Sequence, residues 1–259
     1  MHESQELLEL YREDPCRTLP NAFWKSVRED GRGSRLIIQR NPADRLLALE
    51  LWHGAHLMAL WCEDHEIFPL TAEDISKLPF ALVHDNCIAK FSDRNFSRKD
   101  AYFRLVHKGR PTESNLPLGY EFHLVDSTKE MQSVAEFINA CYENINVNKE
   151  IVRSWLDHPV FDPDLWLWVI DLGTGQKAGL GVAEFDPQVR EASLEWIQVY
   201  PQYQRRGLGK AIVLELLKRV SGRVLFTTVS GKVSSASHPE KLYRNCGFTG
   251  SDVWWLLNV

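Results

Sequence analysis

Residues 194–210 read Leu194-Glu-Trp-Ile-Gln-Val-Tyr-Pro-Gln-Tyr-Gln-Arg-Arg-Gly-Leu-Gly-Lys210. The first half is extended chain with a fault in its alternation. Leu194 and Trp196 take one face of a strand, and Ile197 and Val199 fall one residue out of phase. A β-bulge between the two pairs accounts for the slip. Bulges splay a strand from its neighbour and leave backbone groups unpaired, free to pair with an extended ligand. Pro201 ends the strand. The chain then enters a helix at Gly207-Leu-Gly209, with Arg205, Arg206 and Lys210 at its N-terminus. Free N–H groups and the positive end of the helix dipole make such a terminus an anion site. Glycine lacks the Cβ that would hold a phosphate oxygen off the backbone. Together with three cations, this predicts a polyanionic ligand such as a pyrophosphate.

Working outward, Leu118–Leu124 reads as a strand. Ser127-Thr-Lys-Glu130 has the form of a capping box, and Met131, Val134, Ala135, Ile138 and Cys141 follow at helical spacing. Asn148 is placed to cap a second helix that buries Ile151, Val152 and Trp155 and stops at Pro159. Leu165–Leu172 and Gly179–Phe185 read as strands around a Gly173-Thr-Gly175 turn, and Ala192–Tyr200 as a third. Gly207–Val220 is an apolar helix ending at Gly222. Val224–Val229 is a strand, Pro239–Cys246 a short helix and Val253–Leu257 a last strand. The order β α α β β β α β α β predicts a mixed α/β sheet.

A polar segment, Lys108–Pro117, holds one Gly and two Pro and no apolar period, so the domain boundary is expected there: residues 1–117 and 118–259. In the front part Glu6–Tyr11 and Asn21–Val27 look helical. Arg35–Gln39, Leu46–Trp52, His56–Trp61 and Phe80–Val83 look like strands, and Ala101–Val106 fits either. This predicts a smaller α+β domain.

At 259 residues and roughly 100–200 residues per domain, two units or one enlarged unit are expected. A 44% apolar content suffices for a core and excludes a disordered chain. The net charge of −5 argues against a nucleic-acid coat or an anionic-membrane binder. Met1-His2-Glu3-Ser4 lacks the layout of a signal peptide, and no apolar run approaches the ~20 residues that span a bilayer. Five widely spaced cysteines without a Cys-x-x-Cys predict reduced thiols in a cytoplasmic protein rather than a disulfide or zinc framework.

Gln204-x-x-Gly207-x-Gly209 after Val199-x-Pro201 resembles the acetyl-CoA signature of the GCN5-related N-acetyltransferases (GNAT). Leu242-Tyr243-x-x-Cys246-Gly247-Phe248 resembles that family's late Leu-Tyr-x-x-x-Gly-Phe element. The resemblance covers about Leu118 to Val259. It implies the mixed-sheet acyl-CoA N-acyltransferase fold, acetyl-CoA as co-substrate, no metal, and transfer to an amine acceptor. By the same resemblance the backbone at Ile197, Gln198 and Val199 pairs with the pantetheine arm. Gln204 belongs to the signature, and the N–H groups of Arg205, Arg206, Gly207, Leu208, Gly209 and Lys210 hold the pyrophosphate. An amide near Val199 polarises the thioester carbonyl. Tyr243 lies near the sulfur and protonates the leaving thiolate, and Glu195 is the carboxylate that takes the proton of the amine. One departure is that the family's Asn before the last helix, and the Ala three residues on, align with Ala236 and Pro239; Ser235 or Ser237 is the substitute.

Other patterns fail on context. Arg28-Glu-Asp-Gly31-Arg-Gly33 fits the loose glycine pattern, but no strand ending in Val-x-Pro precedes it and its two acids repel phosphate. Gly173–Ala178 mimics a dinucleotide fingerprint but joins two strands. No P-loop motif occurs. His53, His56, Cys62 and His65 suggest a metal set, but His53 and His56 point apart if they share one strand. Trp166 and Trp168 share a strand face and are expected in the core, whereas Trp254 and Trp255 point oppositely.

Two functions stay open from the sequence: a transferase, or a silent acyl-CoA sensor on the same fold. The front domain is expected to be a degenerate copy of the fold, a lid or an acceptor-selecting domain. No nucleic-acid or membrane partner is expected, and the chain is expected as a monomer or homodimer.

Overall fold

The structure, a computed structural model, describes residues 2–27, 34–110, 113, 115–142, 145–234 and 238–259. The front part opens with three helices, α1 (His2–Glu13), α2 (Pro15–Thr18) and α3 (Phe23–Ser26). Leu7, Leu8, Leu10 and Tyr11 of α1 are buried, so the helical period expected from Glu6 to Tyr11 carries a longer helix. The stretch expected helical from Asn21 to Val27 holds only one turn. Next come β1 (Ser34–Arg40), β2 (Leu46–His53), β3 (His56–Cys62), α4 (Ala72–Lys77), β4 (Phe80–His84) and β5 (Arg98–His107). Helix α4 is set by a reciprocal cap in which the Asp74 backbone N–H donates to the Thr71 hydroxyl and the Thr71 N–H donates to the Asp74 carboxylate.

The rear part runs β6 (Tyr120–Leu124), α5 (Met131–Cys141), α6 (Lys149–Leu156), β7 (Trp166–Asp171), β8 (Lys177–Asp186), β9 (Glu191–Val199), α7 (Leu208–Val220), β10 (Phe226–Lys232), α8 (Pro239–Arg244) and β11 (Thr249–Asn258). The expected element order holds throughout, and two details differ. Ser127 does not cap α5. Instead the Asp126 carboxylate accepts from the Thr128 and Lys129 N–H groups, and the Asp126 N–H donates to Glu130. Aspartate outcompetes serine here because its charged oxygen accepts two amide bonds at once. Asn148 caps α6 through the Ile151 N–H at 2.9 Å. Val152 and Trp155 face the core, whereas Ile151 is exposed.

The chain forms two units. One comprises Met1–Val106, Thr228–Glu240 and Thr249–Val259, the other His107–Thr227 and Lys241–Phe248. The break after Val106 lies eleven residues before the expected boundary, because β5 runs through residues that read ambiguously. The larger difference is β11, expected at the end of the rear domain. It lies between β4 and β5, antiparallel to both, with Trp255 opposite Val83 and Ala101.

In this front unit β1, β2 and β3 form an antiparallel meander, and β4 returns parallel to β3. The strand order is β1-β2-β3-β4-β11-β5. Leu57, Leu60, Ala81, Val83 and Leu257 make its core. Trp254 is buried, its Nε1 donating to the Cys16 carbonyl at 2.8 Å, while Trp255 on the opposite face donates to Asp85. His53 and His56 do not point apart. They sit on two strands, directly opposite across a two-residue turn, and so share a face. Among the described residues no group of three or more His, Cys, Asp or Glu is placed to hold a metal ion.

In the rear unit β6, β7, β8 and β9 form a second antiparallel meander. Gly173–Gly175 is the hairpin turn between β7 and β8, closed by the Gly175 N–H on the Asp171 carbonyl. Trp166 and Trp168 are in the core, with Val134, Ile138, Val152, Leu180 and Val182. Helix α7 packs on β8, and two glycines make that possible. A Cβ at Gly181 would lie 2.3 Å from Cγ2 of Ile212, and one at Gly179 would lie 3.0 Å from its Cδ1. All five cysteines are free thiols, and among the described residues no helix is long and apolar enough to cross a membrane.

Candidate active site

The fault in strand alternation is a bulge at Glu195. On β9, Leu194 pairs with Ala183 and Trp196 with Val182, so Glu195 is the extra residue. This corrects the expected facing. With Glu195 outside the count, Leu194 and Trp196 are neighbours in the ladder and point to opposite faces. Leu194 joins Ile197 and Val199 on the face toward α7, where Ile197 pairs with Gly181 and Val199 with Gly179. Trp196 joins Gln198 on the face toward α5 and α6, with Val182 and Leu180 as their partners. Glu195 is half-buried, and its Oε1 accepts from the Ser193 hydroxyl at 2.8 Å.

After β9 the chain makes one 3-10 turn, Pro201–Tyr203. The side-chain amide of Gln204 reaches back to the Val199 carbonyl at 3.2 Å and ties the turn to the strand end. Arg205 (φ +64°) and Gly207 (φ +84°) are both left-handed, so successive N–H groups turn toward one side. Gly207 is the N-cap of α7 and supplies no capping side chain. Among the described residues, no capping side chain meets the first-turn N–H groups of Leu208, Gly209 and Lys210, which a helix leaves without intrahelical partners. The two glycines differ. Gly207 meets the positive φ; a Cβ at Gly209 would make only ordinary contacts, 3.4 Å from Leu242 and 3.8 Å from Val199, so packing does not require glycine there.

The three cations also separate. The Arg206 guanidinium donates to the Tyr120 hydroxyl at 2.9 Å and to the Gln202 carbonyl at 3.1 Å, and lies over the Tyr203 ring. Its side chain braces the turn. Arg205 and Lys210 are exposed. Lys210 has enough reach to oppose the rise that burial causes in the Cys246 thiol, which stands at about 11.

Tyr243, on α8, is 8% exposed and packs edge-on against Phe248 at 5.7 Å. Burial pushes its phenol above the ordinary value of 10, and Tyr142, Cys246 and Glu195 add to the rise in that order. Tyr243 thus shares one electrostatic environment with the bulged carboxylate and holds its proton across the physiological range. Ser235, Ala236, Ser237 and the Arg28–Gly33 stretch lie outside the described residues.

The sequence pattern did not single out Gly179 and Gly181, although Gly-x-Gly inside a strand signals a close approach. It also left aside the side chains of Gln198, Tyr142 and Trp155, which depend on the facing that the bulge decides.

The comparisons with known proteins agree with this geometry. Residues 163–250 match the acetyltransferase (GNAT) domain family. A GCN5-related N-acetyltransferase from Sphaerobacter thermophilus is similar at 13% identity and TM-score 0.62, over 85% of this chain and 79% of that one. A GNAT-family acetyltransferase from Colwellia psychrerythraea is similar at 13% identity and TM-score 0.58, over 99% and 97%. A tandem GNAT protein from the clavulanic acid biosynthesis pathway is similar at 15% identity and TM-score 0.53, over 98% and 94%. No curated protein matches the sequence. Residues 163–250 match the GNAT acetyltransferase domain, and the chain shares its fold with GNAT structures over most of its length. The front unit has a meander, a crossover and a parallel return of its own. Its crossover helix α4 has 6 residues where α7 has 13, and no Gly-x-Gly opens it.

Proposed function

We propose that the protein is an acetyl-CoA-dependent N-acetyltransferase acting on a primary amine by direct attack in a ternary complex. The observation that carries this reading is the bulge at Glu195 running into a left-handed turn and an uncapped α7, within a GNAT domain. In the proposed complex the backbone of Ile197–Val199 pairs with the pantetheine arm. The N–H groups from Arg205 to Lys210, with the charges of Arg205 and Lys210, hold the pyrophosphate. The residues present fit such a ligand, because the anion side of the turn carries donors and cations and the bulge loosens the strand edge.

The co-substrate supplies an activated thioester carbonyl. The amine lone pair attacks that carbon, an amide near Val199 stabilises the oxyanion, and the C–S bond breaks. Glu195 takes the amine proton, with Ser193 orienting its carboxylate. Tyr243 gives its proton to the leaving thiolate; burial keeps that proton in place until charge develops on sulfur.

The test is thiol release from acetyl-CoA with a panel of amines, beside calorimetric CoA binding. Release that depends on the amine supports transfer. CoA binding without release from any amine overturns transfer and assigns the site to a sensor.

A further inference from the structure

The face of β9 opposite α7 carries an arrangement that the proposed transfer chemistry leaves unused. Trp196 follows the bulged Glu195 and points toward α5 and α6. Trp155 of α6 stacks on it at 5.7 Å with 26° between the planes, and Tyr142, just past α5, meets it edge-on at 6.1 Å. The next residue on that face is Gln198, 4% exposed. Neither its Nε2 nor its Oε1 has a hydrogen-bond partner among the described residues. Its amide nevertheless acts on the Tyr142 phenol, opposing the rise that burial causes there, so the two side chains are neighbours. Tyr142 itself is 46% exposed, so this face reaches solvent beside the Gln198 amide.

A buried primary amide whose only approach among the described residues is a loose one to the Tyr142 phenol, with no well-formed partner for donor or acceptor, costs stability and calls for an explanation. Side by side, the two atoms complement a group with the same pair reversed, which is another amide. The indole and phenol walls complement a flat apolar body. Trp196 directly follows, on β9, the carboxylate assigned to take the amine proton.

We propose that Gln198, Trp155, Trp196 and Tyr142 form the acceptor subsite, and that the acceptor is an aromatic α-amino amide, whether a free amino-acid amide or the N-terminus of a peptide beginning with an aromatic residue. This rests on the transfer reading above and names its substrate class. The ring lies against Trp155 and Trp196, the carboxamide pairs with Gln198, and the α-amine faces Glu195.

The experiment measures initial rates of thiol release by the full chain at saturating acetyl-CoA. The acceptors are phenylalaninamide, the tripeptide Phe-Ala-Ala, phenethylamine (ring without amide), alaninamide (amide without ring) and spermidine. The expected result is a kcat/KM for phenylalaninamide or the tripeptide about tenfold or more above each of the others, since one paired amide is worth about that factor. Whichever of the two leads identifies the source. Gln198→Leu lowers the phenylalaninamide-to-phenethylamine ratio about tenfold, and Trp155→Ala lowers the phenylalaninamide-to-alaninamide ratio by about as much. The proposal is overturned if spermidine or alaninamide is used as well as phenylalaninamide. It is also overturned if Gln198→Leu weakens CoA binding and leaves the ratio where it was, since the amide then serves the cofactor. Calorimetry of phenylalaninamide binding to the CoA-loaded protein separates this idea from the transfer reading. If no amine releases thiol, yet phenylalaninamide binds and Gln198→Leu weakens it, the subsite stands and transfer falls. If phenylalaninamide does not bind, the subsite falls.

Discussion

Replacing Gln198 by leucine should make the protein more stable, against the usual direction of core substitutions. Gln198 is 4% exposed, its Nε2 and Oε1 are both without partners among the described residues, and its register partner on β8 is Leu180, in the apolar core. An unpaired buried polar group costs about 1–3 kcal/mol. Leucine is one bond shorter than glutamine but similar in volume, and it replaces the amide with methyl groups among apolar neighbours, so little space is left unfilled. Taking the lower part of that range, because Tyr142 lies close enough to act on the amide, the expected gain is about 1–2 kcal/mol. At about 2–4 °C per kcal/mol for a chain of this size, the melting temperature should rise by about 2–8 °C. Urea unfolding followed by circular dichroism checks this: the midpoint should move up at constant slope. A midpoint that stays put or falls would refute the reasoning, because it would mean that the Gln198 amide is hydrogen-bonded in solution. Together with the acceptor assay, a gain in stability paired with a loss in discrimination identifies a group kept for binding rather than for folding.

Three further outcomes are expected. Gly181→Ala places a Cβ 2.3 Å from Cγ2 of the fully buried Ile212 and should cost about 1–3 kcal/mol in urea unfolding, and the loss in the Gly181→Ala, Ile212→Ala double variant should be smaller than the sum of the two single losses. Tyr243→Phe should lower turnover more than it weakens CoA binding, by about 10²-fold in kcat if the phenol is the acid; equal turnover would reassign the proton donor. His107 is buried and burial holds its pKa below 6.5, so the native state favours the neutral ring; the stability from this is present above pH 6.5 and lost as the pH falls through the lowered value. Melting temperatures from pH 8 to pH 5 should decline on the acid side, and the decline should be shallower with His107→Leu.

Much of the rear half was legible because its signals are local. The slip between Trp196 and Ile197 announced a bulge, since a period of two cannot change phase without an extra residue. Gly207 announced the start of α7, since a left-handed N-cap excludes most side chains. Asn148 announced α6 by the same kind of short-range hydrogen bond. Where two local solutions competed, the pattern misled: Ser127 and Asp126 each offer an oxygen to the turn before α5, and the charged one took it.

By itself, the sequence determined that residues 118–259 alternate strands and helices in the GNAT order, that a strand with a fault leads to a glycine-bearing turn flanked by cations, and that Tyr243 follows on a late short helix. Each of these depends on residues a few positions apart, whose spacing dictates their geometry. Only the tertiary structure decided that β11 completes the front unit between β4 and β5. A strand's pattern states which face is apolar, but its backbone hydrogen bonds are the same for any neighbour, so partners far away in the chain cannot be read from it. It alone decided that Glu195 is the bulged residue, which turned Trp196 and Gln198 toward α5 and α6. And it alone left the Gln198 amide buried beside Tyr142 and unpaired, because whether a polar group finds a partner depends on which distant side chains packing brings to it.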